Sequence, residues 1–357
     1  MIKPPDYVLS IQPYIPGKPV EELERELGIL NSIKLASNEN PVGPSPAAVE
    51  ALKGSLQDLN RYPDGAGYYL KKTLAEKLNV SEDELILGNG SNELLDIAAR
   101  TFMTNGDEAV MATPSFVVYG MAVKSVGGNV AQIPLRNYAH DLEAMAAAVT
   151  PKTRLIFIAN PNNPTGTINR NDEFSRMMDR IPDDILVVVD EAYFEYVADP
   201  DYADSMRYFR SGRNILILRT FSKIFGLAGL RLGYGIAKKE LLTDMNRLRE
   251  PFNTNSLAQK AAIAALGDAG HLRISRETNE AGKKYLYAEL SSLGIAHVPT
   301  EANFIYIPYE GSMSLYEKLL KQGVIIRPMG PNAVRVTIGL PEENRRFIEA
   351  LKAVING

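Results

Sequence analysis

Five short runs, Leu85–Leu87, Ala109–Met111, Leu155–Ala159, Ile185–Val189 and Ile215–Leu218, are apolar almost without interruption, and each is followed by a turn or a polar cluster. A strand with one wet face alternates polar and apolar residues. A strand apolar on both sides is covered on both sides, as in a parallel sheet held between helical layers. Helical spacing lies between and beyond these runs, clearest at Leu70, Leu74, Ala75 and Leu78 and again over Leu257–Leu266. The alternation predicts an α/β fold, a mostly parallel central sheet flanked by helices. Ser81-x-x-Glu84 has capping-box spacing, but only a short apolar run separates it from Gly88, so a turn leading into a strand is expected there.

At 357 residues the chain is long enough for about two domains at ~150 residues each. Past Pro251 the pattern changes to a long helix over 255–293, strands at Ala302–Ile307 and Val334–Ile338 with a helix between them, and a closing helix from Glu342. This reads as a second, smaller α/β domain. The first residues, helical at Val20–Leu27, have no strand of their own and are expected to fold against it as an arm. The expected division is an arm at 1–32, a large domain at 33–252 and a small domain at 253–357.

Several function classes fall away. The net charge is −4 with no basic block, which argues against a nucleic-acid partner. Cysteine is absent and the three histidines are far apart, so no metal site is expected. Met1–Ser10 lacks the apolar core of a signal peptide, and the longest uncharged stretches, 15 residues at Ala109–Val123 and Leu155–Asn169, fall short of the ~20 a membrane span needs. A cytoplasmic protein without a membrane partner is expected. Gly88-Asn-Gly-Ser-Asn-Glu93 lacks the third glycine of a dinucleotide fingerprint, and neither a Gly-x-Ser-x-Gly elbow nor a Walker phosphate loop occurs.

Chemistry concentrates just beyond the strands, where parallel sheets bind ligands. Leu155–Ala159 runs into Asn160-Pro-Asn-Asn-Pro-Thr-Gly166, Ile185–Val189 into Asp190-Glu-Ala-Tyr193, and Ile215–Leu218 into Arg219-Thr-Phe-Ser-Lys223. Taken singly, Asp190 could be a helix cap, Lys223 a solvated charge, and the Asn-Pro and Gly88–Gly90 segments plain turns. Paired, a lysine amine that can form a Schiff base and an acid that keeps a pyridine nitrogen protonated suit an aldehyde cofactor. Arg231 and a helix opening near Ser91 and Asn92 would seat an anion.

Taken as a set, Asn160–Gly166, Asp190–Tyr193 and Arg219-Thr-Phe-Ser-Lys-Ile-Phe-Gly-Leu-Ala-Gly-Leu-Arg231 resemble the class I and II, fold type I aminotransferases that use pyridoxal 5'-phosphate. Ala36–Ser45, Arg61–Asp64, Gly88–Leu95, Pro251–Ser256, Glu301–Phe304, Ile326–Met329 and Arg335–Gly339 are similar to the histidinol-phosphate branch of that family, so the resemblance runs from about residue 10 to the end. It implies a homodimer that transfers an amino group between L-histidinol phosphate and 2-oxoglutarate, yielding imidazole-acetol phosphate and L-glutamate in histidine biosynthesis. By motif position, Lys223 would bond the cofactor aldehyde and move the proton, and Asp190 would face the ring nitrogen. Asn162 and Tyr193 would bond the ring oxygen, and Phe116 would stack on the ring. Ser91, Asn92, Ser222 and Arg231 would hold the cofactor phosphate, with Tyr62 reaching it from the partner subunit. Tyr14, Arg327 and Arg335 match substrate-phosphate positions, for which a bidentate guanidinium is suited. Arg335 equally matches a carboxylate position, and Arg327 alone could be a solvated edge-strand arginine. Aromatic aminotransferases and phosphothreonine decarboxylases are the rival readings. The chain departs from the pattern at Asn92, where Asp is usual, at Ile224, where Ala is usual, and at Leu340, where Thr is common.

Overall fold

The computed structural model describes residues 2–356. In chain order its strands are β1 (Ile33–Lys34), β2 (Leu85–Gly88), β3 (Glu108–Thr113), β4 (Asn129–Pro134), β5 (Thr153–Ala159), β6 (Leu186–Asp190), β7 (Ile215–Thr220), β8 (Gly233–Ile236), β9 (Phe304–Pro308), β10 (Val324–Ile325), β11 (Arg327–Pro328) and β12 (Ala333–Thr337). Four of the apolar runs become the inner strands β3, β5, β6 and β7 of one seven-stranded sheet ordered β2-β8-β7-β6-β5-β3-β4, and the fifth, Leu85–Leu87, becomes its edge strand β2. Its pairings are parallel except those made by β8 with β2 and β7.

Successive side chains of a strand point to opposite faces, which explains why these runs are apolar throughout. Ile156, Ile158, Val187, Val189, Ile215 and Ile217 enter one core with Leu70, Leu74, Phe174 and Ala261. Leu155, Phe157, Leu186, Val188, Leu216 and Leu218 enter another with Leu94, Leu95, Tyr119 and Val123. Two strands of the sheet have weaker patterns. Strand β4 lies at the edge with alternating exposure, and β8 carries Gly233 and Gly235, where added Cβ atoms would collide with backbone around Ser91 or crowd Ile86 and Leu216.

The helix expected over 255–293 is two helices, Ser256–Gly267 and Ala269–Ser292. Asp268 stands between them in a non-helical conformation and caps the second by accepting from the His271 N–H, while Ser45 Oγ donates to its other oxygen at 2.6 Å. Such capping offers the backbone an alternative to continuing the helix. Ser81 and Glu84 do form a capping box, around a single 3-10 turn that leads straight into β2.

The C-terminal region adds an antiparallel sheet, β11-β12-β9, over a third core containing Leu286, Leu315, Phe347 and Leu351, which also takes in Leu35. Strand β1 pairs in parallel with β10. Leu23 of the helix Val20–Leu27 is buried with Ala36 and Ile325, so this part of the leading segment sits on the C-terminal layer. The helical turn Asp6–Leu9 lies instead against the helix Val118–Ser125 of the central sheet. Among the described residues no helix is long and apolar enough to cross a membrane.

Candidate active site

The pairing of β5, β6 and β7 sets Ala159 beside Asp190 and Asp190 beside Leu218, so the strands end together. Asn160, Asp190 and the Thr220–Lys223 turn therefore open on one edge, joined by the turn from β2 into the helix Ser91–Phe102. A cavity of about 280 Å³ occupies that edge. Ser91, Asn92, Phe116, Asp190, Tyr193, Ser222, Lys223 and Arg231 line it, and Tyr14 and Arg335 bring in the N-terminal segment and β12.

Asp190 is buried, and its two oxygens accept from the Tyr119 hydroxyl at 2.9 Å and the Ala192 N–H at 3.1 Å. Burial raises its pKa to about 6 despite those donors and the nearby Lys223. Lys223 Nζ donates to the Ser37 carbonyl at 3.2 Å. Burial, then the positive charge of Arg335, lowers its pKa to about 8, so a usable fraction of the amine is neutral near physiological pH. Arg335, also buried, donates to Asn163 Oδ1 at 2.6 Å and the Ala36 carbonyl at 2.7 Å, and its Nε has no partner.

Opposite the acid, Arg231 donates to Ser222 Oγ at 3.4 Å beside the first turn of the helix Ser91–Phe102. Gly90 has φ +74°, and a Cβ there would lie 2.6 Å from Arg231 Nη2. Glycine is what lets the guanidinium approach the helix N-terminus. Free N–H groups, a hydroxyl and a guanidinium then converge as an anion seat.

Three expected residues lie outside the wall. Asn162 is a correction: its Oδ1 accepts from Ser115 Oγ at 2.9 Å and pairs with His140 Nε2 at 3.0 Å, and its Nδ2 donates to Thr165 Oγ1 at 2.8 Å and Pro114 O at 3.3 Å. The amide is used up joining two turns, and the neighbouring Asn163 faces the cavity. Tyr62 is 81% exposed, stacked on Phe252 with centroids 4.7 Å apart, and does not reach the cavity of its own chain. Arg327 sits outside the wall, donating to the Ile15 carbonyl at 2.6 Å with its guanidinium 5.6 Å from the Tyr14 ring centroid.

The lining residues not foreseen include Asn163, Tyr119, Ser37, Asn38 and Glu39. Tyr119 had a signal: it follows Phe116 by three residues, and the turn between them, in which the Tyr119 N–H donates to the Phe116 carbonyl at 3.2 Å, brings both to one side. The rings meet edge-on at 5.6 Å, and Tyr119 stacks on Phe157 at 5.0 Å. Which of two adjacent asparagines in an irregular turn faces inward has no periodicity to reveal it.

The donor set complements pyridoxal 5'-phosphate at each end. An amine whose pKa is lowered suits the aldehyde, a buried acid held by a hydroxyl and a backbone N–H suits the ring nitrogen, and the Arg231–Ser222–helix seat suits the phosphate. Fold and site together define an aminotransferase of class I and II, and that family's sequence model matches residues 31–351. Over 354 residues the chain is 52% identical to a histidinol-phosphate aminotransferase of Moorella thermoacetica, covering 98% of this chain and 92% of that one. It is 44% identical to that of Caldicellulosiruptor saccharolyticus, covering 98% and 99%. The crystal structure of the Sinorhizobium meliloti enzyme, in complex with pyridoxal-5'-phosphate, superposes with a TM-score of 0.91 at 26% identity over 98% of this chain and 96% of that one. The chain belongs to the histidinol-phosphate aminotransferases.

Proposed function

We propose that this chain transfers the amino group of L-histidinol phosphate to 2-oxoglutarate, giving imidazole-acetol phosphate and L-glutamate in histidine biosynthesis. The observation that carries this reading is that Lys223, Asp190 and the Arg231 seat line the same cavity as Tyr14 and Arg335. Bound pyridoxal 5'-phosphate supplies an aldehyde carbon that accepts the amine and a pyridine ring that takes up carbanion charge.

The chain's own groups do the rest. Arg231, Ser222, Ser91 and the adjacent backbone anchor the cofactor phosphate at the helix N-terminus, with Asn92 beside them. Asp190, as the carboxylate, keeps a proton on the nitrogen facing it, and Tyr119 and the Ala192 N–H hold that carboxylate in place. Phe116 supplies a flat wall, and Tyr193 with Asn163 offers polar groups at the ring oxygen. Lys223 Nζ, at a pKa of about 8, can hold or release a proton at the reacting carbon. Arg335, Tyr14 and Arg327 receive the substrate's anionic end.

The working unit in this reading is a cytoplasmic homodimer, each subunit lending Tyr62 to its partner's phosphate seat. Residues 1–32 act as an arm, 33–252 as the cofactor-holding domain and 253–357 as the domain that carries Arg327 and Arg335.

The test is a titration of the visible absorption band of the cofactor-loaded protein with L-histidinol phosphate, beside L-glutamate and L-phenylalanine. Loss of the band at low histidinol phosphate, with phenylalanine far weaker, supports the reading. Conversion by phenylalanine at equal or lower concentration moves the assignment to an aromatic aminotransferase.

A further inference from the structure

Asn38 lines the cavity but carries no charge or nucleophile, and its backbone is unusual. It has φ +56°, a left-handed conformation, and is 1% exposed. A buried side chain there needs compensating contacts, and Asn38 has them on three sides. Its N–H donates to Thr337 Oγ1 at 3.0 Å, its carbonyl accepts from Asn303 Nδ2 at 3.1 Å, and its Nδ2 donates to the Tyr193 hydroxyl at 2.9 Å. Thr337 is the last residue of β12, Asn303 precedes β9, and Tyr193 follows β6.

Thr337 Oγ1 accepts from the Asn38 N–H and donates to Asn38 Oδ1, 3.2 Å away. With the amide oxygen toward Thr337, the NH₂ faces Tyr193. Tyr193 accepts that bond, so its hydroxyl proton is left for an acceptor in the cavity.

We infer that Asn38 is a positioning residue: by donating to Tyr193 it turns the phenol O–H into the cavity and makes Tyr193 a better donor to the oxygen of a bound ring. The phenol sits among Lys223, with Nζ 5.6 Å from its ring centroid, Arg335 and Asp190. Burial holds the phenol's pKa above its ordinary value; Arg335 and the Asn38 bond work against that rise, and Asp190 adds to it. The same amide ties Tyr193 to β12, two residues along from Arg335, so a substrate held by Arg335 and the tyrosine that faces the ring share one support.

The role rests on the amino-transfer reading, and two substitutions separate it from packing. Glycine accepts the left-handed conformation without strain, so Asn38→Gly removes the side chain at little backbone cost. Asn38→Asp keeps size and the acceptor for Thr337 but replaces the donor with an acceptor, which would draw the Tyr193 proton away from the cavity.

Each variant and the parent would be loaded with cofactor and followed by thermal melting, by kcat and KM for L-histidinol phosphate, and by the pH midpoint of the visible band. In Asn38→Gly we expect kcat to fall about tenfold with KM changed less than about twofold, the size of one lost hydrogen bond. The pH midpoint should rise by about one unit, because a weaker donor leaves more electron density on the ring oxygen. Asn38→Asp should lose more than Asn38→Gly, whereas a packing role would make the glycine variant the worse. A midpoint unmoved in both variants, or near-parental turnover in Asn38→Asp, would overturn the inference. Failure of the parent to respond to histidinol phosphate, with the midpoint still moving in the variants, would remove the substrate reading and leave the Asn38 role standing.

Discussion

Asp190 shows how a single buried side chain can oppose folding and serve function. In an unfolded chain its carboxyl titrates near ~4, and in the cavity near about 6. The folded state therefore binds more protons than the unfolded state between those values, and stability falls as pH rises through that window, by about 3 kcal/mol in all. We expect cofactor-free Asp190→Asn to melt higher than the parent above pH ~6 and the difference to shrink toward pH ~4. Calorimetry across that range checks it, and parallel curves would contradict the buried-acid account. Lys223 has the opposite sign: its lowered pKa, about 8, makes stability rise with pH above that value. The two arginines should separate by substrate. Arg327→Ala is expected to raise KM for histidinol phosphate about tenfold, the scale of a charged hydrogen bond, and leave glutamate nearly unchanged, whereas Arg335→Ala should weaken both. Steady-state kinetics with each substrate decides between them, and equal effects of Arg327→Ala on both would remove its phosphate role.

At the scale of elements, loops do as much as strands to shape the site. Gly226 lies three residues past Lys223 with φ +68°, its N–H donates to the Lys223 carbonyl at 2.9 Å, and a Cβ on it would stand 2.1 Å from the Gly43 carbonyl oxygen. Gly226→Ala should cost at least about 2 kcal/mol in denaturant unfolding and lower cofactor affinity by moving Lys223. A variant as stable as the parent would show that the loop tolerates the clash. The elements legible in the sequence were the continuously apolar strands and the Val20–Leu27 helix. The strands β4 and β8 were not, because an edge strand and a glycine-rich strand draw their pairing from neighbours rather than from their own pattern. The break at Asp268 was hidden for a related reason. Apolar spacing runs on through both helices, and only the contact with Ser45, far off in sequence, reveals a cap.

On the whole molecule, the stacked Tyr62 and Phe252 are exposed, and so are Leu56, Leu59 and Tyr69 from the same stretch of chain as Tyr62. The proposed homodimer covers them and brings the partner's tyrosine to the phosphate seat. If sites are shared in this way, two defective variants should complement each other. Tyr62→Ala and Lys223→Ala, mixed and refolded together, should show more turnover than the sum of each alone, because one site of the hybrid takes both intact residues. A mixture no better than its parts, or a monomeric mass in solution, would contradict the shared site.

The sequence by itself determined the layered α/β fold and the chemistry of the cavity. Both depend on local matters: which runs are apolar on both faces, and which polar residues follow a strand end. Lys223, Asp190, Tyr193, Ser91, Ser222 and Arg231, named from the strand-end clusters and the family resemblance, do line the cavity. Tertiary structure alone decided that Asn163 faces inward while Asn162 is consumed by Ser115 and His140, that Tyr119 steadies Asp190, and that Asn38 reaches from one end of the chain to Tyr193 and Thr337. Hydrogen-bond partners tens to hundreds of residues apart leave no spacing to read, so those choices exist only once the strands are in register.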